Sequence, residues 1–325
     1  METITIREAL NRALRDEMKA DDTVFLFGED IGKHGGAMQV TANLFDEFGP
    51  KRVIDTPLSE YAIIGAGIGA AYIGLRPVVE IMFADFITLI ADQLINNAAK
   101  ACYTTEGETT CPMVIRSTYG SGARSGPHHS QSLEGMYMGI PGIKIAVPSN
   151  PADAYGLLRG AIRDNNPVLF LEPKMMYGVR GEVEDEMKII PMGKARIARE
   201  GADVSVFAYG TLVPKALKAA EKAEKEGISV EVIDLRCIKP FDEEAVLGSV
   251  KKTGRAIIAQ EACEDGGVAP QLATFLAEKA IEYLDGPILR VAAPNTPVPF
   301  SPSLEDYFVP SEERVLDAIR AIVVK

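Results

Sequence analysis

The sequence predicts an α/β protein built as two doubly wound domains. Three observations carry that reading. Short apolar runs that end in acids or proline alternate with helix-length periodic stretches. The alternation breaks over residues 174–200, in a charged stretch with glycine and proline, and it then resumes to the C-terminus. The domains expected are residues 1–180 and 201–325, joined by a linker at 181–200 that carries edge strands.

The elements follow in order. Leu10, Ala13, Leu14 and Met18 repeat at helical spacing, and Asp21 and Asp22 close that helix. "TVFLFGED", "RVIDTP", "RPVVEIMF", "CPMVIRS", "GIKIAVPS" and "PVLFLEP" read as buried parallel strands, because both faces of such strands are covered and the runs are nearly all apolar. "SEYAIIGAGIGAAYIG", "ADFITLIADQLINNAAKACY" and "NPADAYGLLRGAIRDNN" read as the helices among them. In the second half, "VSVFAYG", "ISVEVIDLR", "AIIAQEA" and "PILRVAA" are strands. "LVPKALKAAEKAEKEG", "DEEAVLGSVKKTG", "VAPQLATFLAEKAIEYL" and "SEERVLDAIRAIVV" are helices. Ser311 is the expected N-cap of the last, with Glu312 and Glu313 suited to the positive end of its dipole.

Composition narrows the function classes. The chain has 325 residues, 47% hydrophobic and 25% charged, enough for two separate cores. Its formal net charge of −12 argues against nucleic acid and anionic membrane as partners, since neutralising phosphates needs a surplus of Lys and Arg. The N-terminus has no apolar h-region and carries too many acids for a presequence, so a cytoplasmic protein is expected. Four cysteines without a C-x-x-C pair, and three histidines, make a structural zinc site a poor expectation.

Gly65, Gly67 and Ala70 spell G-x-G-x-x-A, with Asp85 about twenty residues on, as in a dinucleotide-binding loop. A nicotinamide-dependent dehydrogenase is therefore one reading. That loop, however, needs its first glycine directly after a strand. Here the strand at Val53 and Ile54 ends about ten residues too early, and the helix starts near Ser59. The glycines then fall inside a helix, at about 0.8–1 kcal/mol each relative to alanine. Close approach of another backbone, at Gly65, Ala66, Gly69 and Ala70, is the expected return.

"RVIDTPLSE", "GAAYIGLRPVVEIMFADF", "DQLINNAAK", "HHSQS", "PGIKIAVPSNPADAYGLL", "AIRDNNPVLFLEPKMMY" and "VEVIDLRCIKPFD" occur in order along the whole chain. Together they resemble one family. It is the beta subunit of the thiamine-diphosphate-dependent first component of 2-oxo acid dehydrogenase complexes, with its relative in acetoin dehydrogenase. The resemblance implies an N-terminal pyrimidine-binding domain and a C-terminal transketolase-like domain. It also implies half a cofactor site. An alpha subunit would bring the diphosphate and Mg2+ site, usually in an α2β2 heterotetramer, and a lipoyl-bearing dihydrolipoyl acetyltransferase core would take the product. The alpha subunit's GDG…N motif is not found here; "EDGGVAP" has the Asp-Gly pair without the rest.

The same resemblance assigns roles. Glu60 matches the glutamate that hydrogen-bonds N1′ of the aminopyrimidine; a proton shared there favours the imino form that activates the thiazolium carbon. Without the family, Glu60 reads as an acid at a helix N-terminus. His129, rather than His128, matches the histidine beside the reacting carbon, and an imidazole gives and takes protons near pH 7. His34 reads as a loop residue. Phe86, Leu58 and Met82 match the walls of the pyrimidine pocket, with core packing as the alternative. Relatives often carry Gln where Met82 stands. Glu29, beside Asp30 at a strand end, is expected to join an acidic path between paired cofactors. "AIRDNNP" resembles a structural potassium loop with Met113, Ala161, Ile162, Asp164 and Asn166 as oxygen donors. A helix-ending turn is the plain alternative there. The second domain offers no catalytic residue, and its "EVIDLR" and "TPVPFSPSLEDYFVP" segments are expected to build subunit contacts and a dock for the acyltransferase core. Acetoin is the expected substrate, ahead of pyruvate or a branched-chain 2-oxo acid. A non-catalytic docking subunit is the remaining alternative.

Overall fold

The structure, a computed structural model, describes residues 1–184 and 187–323, so residues 185–186 of the expected linker and the last two residues lie outside it. It divides into two compact units. One is Met1–Tyr119 with Gly139–Met192; the other is Gly120–Met138 with the chain from Gly193 onward.

The first unit contains β1 (Glu2–Thr5), β2 (Val24–Gly28), β3 (Val53–Asp55), β4 (Arg76–Ile81), β5 (Val114–Tyr119), β6 (Lys144–Ala146), β7 (Val168–Pro173) and β8 (Arg180–Val183). Six of these run parallel in the order β6-β7-β5-β4-β2-β3. Every residue of β5 and of β7 is buried, as a sheet covered on both faces requires. The short strands β1 and β8 pair antiparallel.

The first helix, Ile6–Ala20, opens with a capping box. Thr5 Oγ1 accepts from the Glu8 amide at 3.1 Å, and the Glu8 carboxylate accepts from the Thr5 amide at 2.7 Å. Its buried stripe, Ala9, Leu10, Ala13, Leu14 and Met18, packs on the helix Pro151–Arg163. Buried Glu17 ties the pair, accepting from Arg159 Nε at 2.5 Å and Arg163 Nε at 2.9 Å.

One element departs from expectation. The stretch Ala84–Thr104 is not a single helix. It is a 3-10 turn (Ala84–Thr88), a π turn (Gln93–Asn97), a second 3-10 turn (Ala98–Lys100) and a short α turn (Ala101–Thr104). A neighbouring backbone presses on it: a Cβ at Gly142 would lie 2.0 Å from the Ala99 carbonyl oxygen. Changes of hydrogen-bond repeat of this kind re-aim the side chains that follow.

The second unit contains β9 (Arg196–Arg199), β10 (Val204–Ala208), β11 (Val230–Asp234), β12 (Cys237–Lys239), β13 (Ala256–Cys263) and β14 (Leu289–Ala293). Its sheet runs β14-β13-β10-β11-β9, parallel except for the edge strand β9. The core lies where the helices Leu212–Glu224 and Glu312–Val323 cover this sheet with alanine, valine and isoleucine. Ser311 caps the last helix, its Oγ accepting from the Arg314 amide at 3.2 Å.

Candidate active site

The strand order of the first unit creates a crevice. The chain leaves β2 toward β3 and leaves β4 toward β5, so adjacent strands β2 and β4 send their connections in opposite directions. Ligands of open parallel sheets sit at the carboxyl ends of such strands. The residues that emerge there are Glu29 after β2, Met82 after β4, and the Thr56–Glu60 stretch after β3.

Glu60 opens the helix Glu60–Tyr72 and is 8% exposed. Half-buried Glu29 sits beside it. Burial pushes the Glu29 carboxyl above the usual carboxylate range; the Glu60 and Asp30 charges push the same way, and the Ser59 amide donates to Glu29 and opposes them. A carboxyl raised in this way keeps its proton more readily than a free one, and it does so at the mouth of the crevice. Thr56 Oγ1, in the same stretch, is buried without a hydrogen-bond partner.

The glycines that imitate a nucleotide loop lie inside the helix. Gly65 is its sixth residue, and no strand feeds it. A Cβ at Gly67 would lie 3.0 Å from Met113 Sδ and from Val79 Cγ2, so this glycine lets the helix settle on its own sheet rather than face a partner. A Cβ at Gly69 would meet open space.

Met82 and Phe86 are both half-buried, Met82 directly after β4 and Phe86 in the 3-10 turn that follows. Leu58 is 78% exposed, an apolar side chain at the crevice mouth with no cover from its own unit.

Sequence reading missed what stands beneath this edge. Arg116 of β5, 2% exposed, is gripped by Glu172 of β7 and Glu80 of β4. The Tyr177 hydroxyl donates to Glu172 at 2.6 Å and pairs with Thr118 Oγ1 at 2.6 Å. Burial raises the Glu80 carboxyl, with Arg116 opposing. A Cβ at Gly36 would lie 3.4 Å from Glu80 Oε1, so the network supports the loop that follows Glu29. Charged residues inside apolar strand runs were the available signal; the pairing among them needed the strand order.

His129 belongs to the second unit, with the whole stretch Gly120–Met138. It is half-buried while His128 is exposed. Its amide donates to the Gly126 carbonyl at 3.4 Å. Nearby Glu134 is wholly buried, accepts from the Tyr209 hydroxyl at 2.5 Å, and is pushed up to about 7 by burial.

The proposed ion loop follows the helix Pro151–Arg163. The carbonyls of Ile162 and Asp164 accept from Arg76 Nη1 at 3.0 and 3.2 Å, and the Asp164 carboxylate pairs with Lys144 at 2.5 Å. The Met113 carbonyl accepts from Val168 and that of Ala161 from Asp164. The Asn166 amide donates to Asp164 Oδ1 at 2.9 Å. A carbonyl has two lone pairs, so each keeps room for a second partner. Among the described residues no group of three or more His, Cys, Asp or Glu could hold a metal ion, and no helix is long and apolar enough to cross a membrane.

Residues 2–180 match the family described as transketolase, pyrimidine binding domain, and residues 193–315 match transketolase, C-terminal domain. The chain is 45% identical to the beta subunit of acetoin:2,6-dichlorophenolindophenol oxidoreductase of Bacillus subtilis, over 96% of this chain and 95% of that one. It is 44% identical to the pyruvate dehydrogenase E1 component subunit beta of the same organism, over 99% of each. It is 43% identical to the 2-oxoisovalerate dehydrogenase subunit beta, also of Bacillus subtilis and also over 99% of each. Among solved structures, a split-gene transketolase described as an inactive beta4 tetramer superposes with a TM-score of 0.81 at 23% identity, covering 98% of each chain, a likeness of fold.

Proposed function

The chain belongs to the family of E1 beta subunits of 2-oxo acid and acetoin dehydrogenase complexes, and from that membership we propose that it supplies the pyrimidine side of a thiamine-diphosphate site completed by an alpha subunit. The observation that carries this reading is Glu60, buried at the start of its helix beside Glu29, at the carboxyl ends of β2, β3 and β4. The residues present fit the aminopyrimidine end of the cofactor: a buried carboxyl, with apolar Leu58 after β3 and Met82 and Phe86 after β4. The sequence carries no GDG…N motif for the cofactor's diphosphate end. Mg2+ is therefore assigned to the alpha subunit.

The cofactor, when bound, supplies the carbanion chemistry that breaks the carbon–carbon bond. Glu60 would hydrogen-bond ring nitrogen N1′ through its carboxyl, and Glu29 beside it, raised by burial and by the Glu60 charge, would share the acidic end of the pocket. Phe86 and Met82 give the ring an apolar wall. His129 gives or takes a proton at its imidazole as the acetyl-level fragment passes to a lipoyl group. A potassium ion at the Met113, Ala161, Ile162, Asp164 and Asn166 oxygens would stiffen the helix end.

Assembly is supported by apolar surface. Leu58, Tyr61, Tyr72, Ile73, Leu89 and Tyr103 are all exposed on the first unit, more than a lone subunit needs. We assign their cover to the alpha subunit and a second beta subunit in an α2β2 assembly.

Acetoin is the proposed substrate, on "TPLSE", "MFADF" and "NTPVPFSPSLED"; pyruvate is second and a branched-chain acid third. Identities of 45, 44 and 43% to the three kinds of relative do not separate them. The deciding experiment pairs this chain with its alpha subunit. The complex is assayed with acetoin, pyruvate and 2-oxoisovalerate, with thiamine diphosphate, Mg2+ and an artificial electron acceptor. Turnover of one substrate by the pair and none by this chain alone is expected. Turnover by this chain alone, or NADH binding by it at micromolar concentration, would overturn the reading.

A further inference from the structure

The segment carrying His129 is rich in glycine and takes backbone angles that side chains disfavour. Gly120, Gly122, Arg124 and Gly126 all have positive φ, at 97, 102, 60 and 70°. For Arg124, which has a Cβ, that conformation is intrinsically unfavourable. Two main-chain bonds within the loop, Gly120 to Gln131 and His129 to Gly126, are long at 3.4 Å each. A glycine-rich stretch of this kind samples many conformations unless something outside it removes them.

Two buried carboxylates far along the chain do so. Glu305, 0% exposed in the helix Pro302–Phe308, accepts from the Gly122 amide at 2.7 Å and the Arg124 amide at 3.1 Å. It also accepts from Arg124 Nη1 at 2.8 Å, while Arg124 Nη2 donates to Asp306 at 2.6 Å. Glu261, on β13, accepts from the Ser121 amide at 2.6 Å and the Ser121 hydroxyl at 2.8 Å, and its other oxygen accepts from Thr211 at 2.6 Å. Charge-assisted bonds to main-chain amides are directional, so these carboxylates set the path of the backbone and not only its position.

A third contact lies closer to the histidine. The Phe300 ring rests on the backbone of Gly126, where a Cβ would come within 2.2 Å of its carbons. The carbonyl of Gly126 is the acceptor for the His129 amide. Ring, glycine and histidine therefore form one mechanical series.

We propose that Glu305, Glu261 and Phe300 are positioning residues for His129. They hold the Gly120–His129 backbone in the one conformation that aims the imidazole. The proposal rests on the reading that His129 takes part in the reaction. It reassigns the "PFSPSLED" segment, expected to serve subunit contacts, to a role inside this chain, although Leu304 and Tyr307 of the same helix remain exposed.

The test uses Glu305→Gln, Phe300→Ala and His129→Ala, alone and in pairs with His129→Ala, in the full chain copurified with its alpha subunit. Phe300 is 63% exposed, so its truncation leaves the fold intact even if the buried Glu305→Gln variant folds poorly. Two quantities are read: trypsin nicking after Arg124 in the full chain, and kcat and KM of the complex.

For E305Q, nicking is expected to rise about tenfold. Its kcat is expected to fall roughly 30-fold with KM near wild type. F300A is expected to show smaller changes of the same kind. In the H129A background either substitution is expected to cost less than about threefold more, since residues acting through one group are not additive. Wild-type nicking and turnover in both E305Q and F300A would overturn the proposal. Full multiplication of their losses with that of H129A would also overturn it while leaving the role of His129 standing. Wild-type turnover by H129A would remove His129 from the reaction, and this proposal with it.

Discussion

Arg116 grips Glu172 with two parallel hydrogen bonds, Nε to Oε1 at 2.7 Å and Nη2 to Oε2 at 2.9 Å, while its remaining arm reaches Glu80 at 2.7 Å. One buried cation serves two carboxylates drawn from neighbouring strands.

Removing that cation leaves both carboxylates uncompensated. We predict that Arg116→Met costs about 3–5 kcal/mol of stability. The triple replacement of Arg116, Glu80 and Glu172 by apolar residues of similar volume is expected to cost far less. Urea unfolding of the two variants measures the difference; equal losses would mean that packing, and not charge, dominates the site.

Glu134 predicts a pH dependence. Its folded carboxyl is pushed up to about 7 by burial, and Glu261 adds to the push while the Tyr209 hydroxyl opposes it. A raised folded pKa means the native state binds the proton more tightly than the unfolded chain. Its stabilising contribution is therefore complete below the ordinary glutamate range and is lost as pH rises through about 7. Glu134→Gln removes that loss. The stability of the variant relative to wild type should rise by about 2 kcal/mol between pH 5 and 8. A difference that stays constant with pH would contradict it.

Glu60→Gln keeps the shape of the side chain and removes the transferable proton. We expect kcat to fall about 10²- to 10³-fold in the assembled complex, with subunit assembly preserved. Thiamine diphosphate binding, followed by calorimetry, should weaken far less than turnover. Full turnover would favour a docking role for the chain.

The ion loop gives the fourth prediction. If potassium binds, the midpoint of thermal unfolding should be roughly 2–4 °C higher in potassium chloride than in sodium chloride at equal ionic strength. Equal midpoints would leave Arg76 and Lys144 as the cations that serve these oxygens.

Much of the scaffold was legible because burial on both faces writes itself as largely apolar runs, as in the Val-Leu-Phe-Leu of β7. The mismatch of the glycines with a nucleotide loop was legible too, because a strand must precede such a loop and Val53–Asp55 ends too soon. The break at Ala84–Thr104 was not legible. Gly142 lies against Ala99 there, a contact between distant positions that no local pattern reports. The anchoring of Gly122 by Glu305 was hidden for the same reason, since nothing local in "SGARSG" or "SLEDYF" names its counterpart. Local patterns report periodicity; they do not report which carboxylate an amide 183 residues away will choose.

That separation has a consequence in time. A ribosome adds about 5–20 residues per second. Gly122 thus emerges roughly ten to forty seconds before Glu305 exists, and the bond between them spans 183 positions. Until then the Gly122 and Arg124 amides lack the Glu305 carboxylate that accepts from them in the finished fold. A nascent chain can complete the first sheet and still hold an unset imidazole, so competence waits for Phe300 and Glu305 to be made.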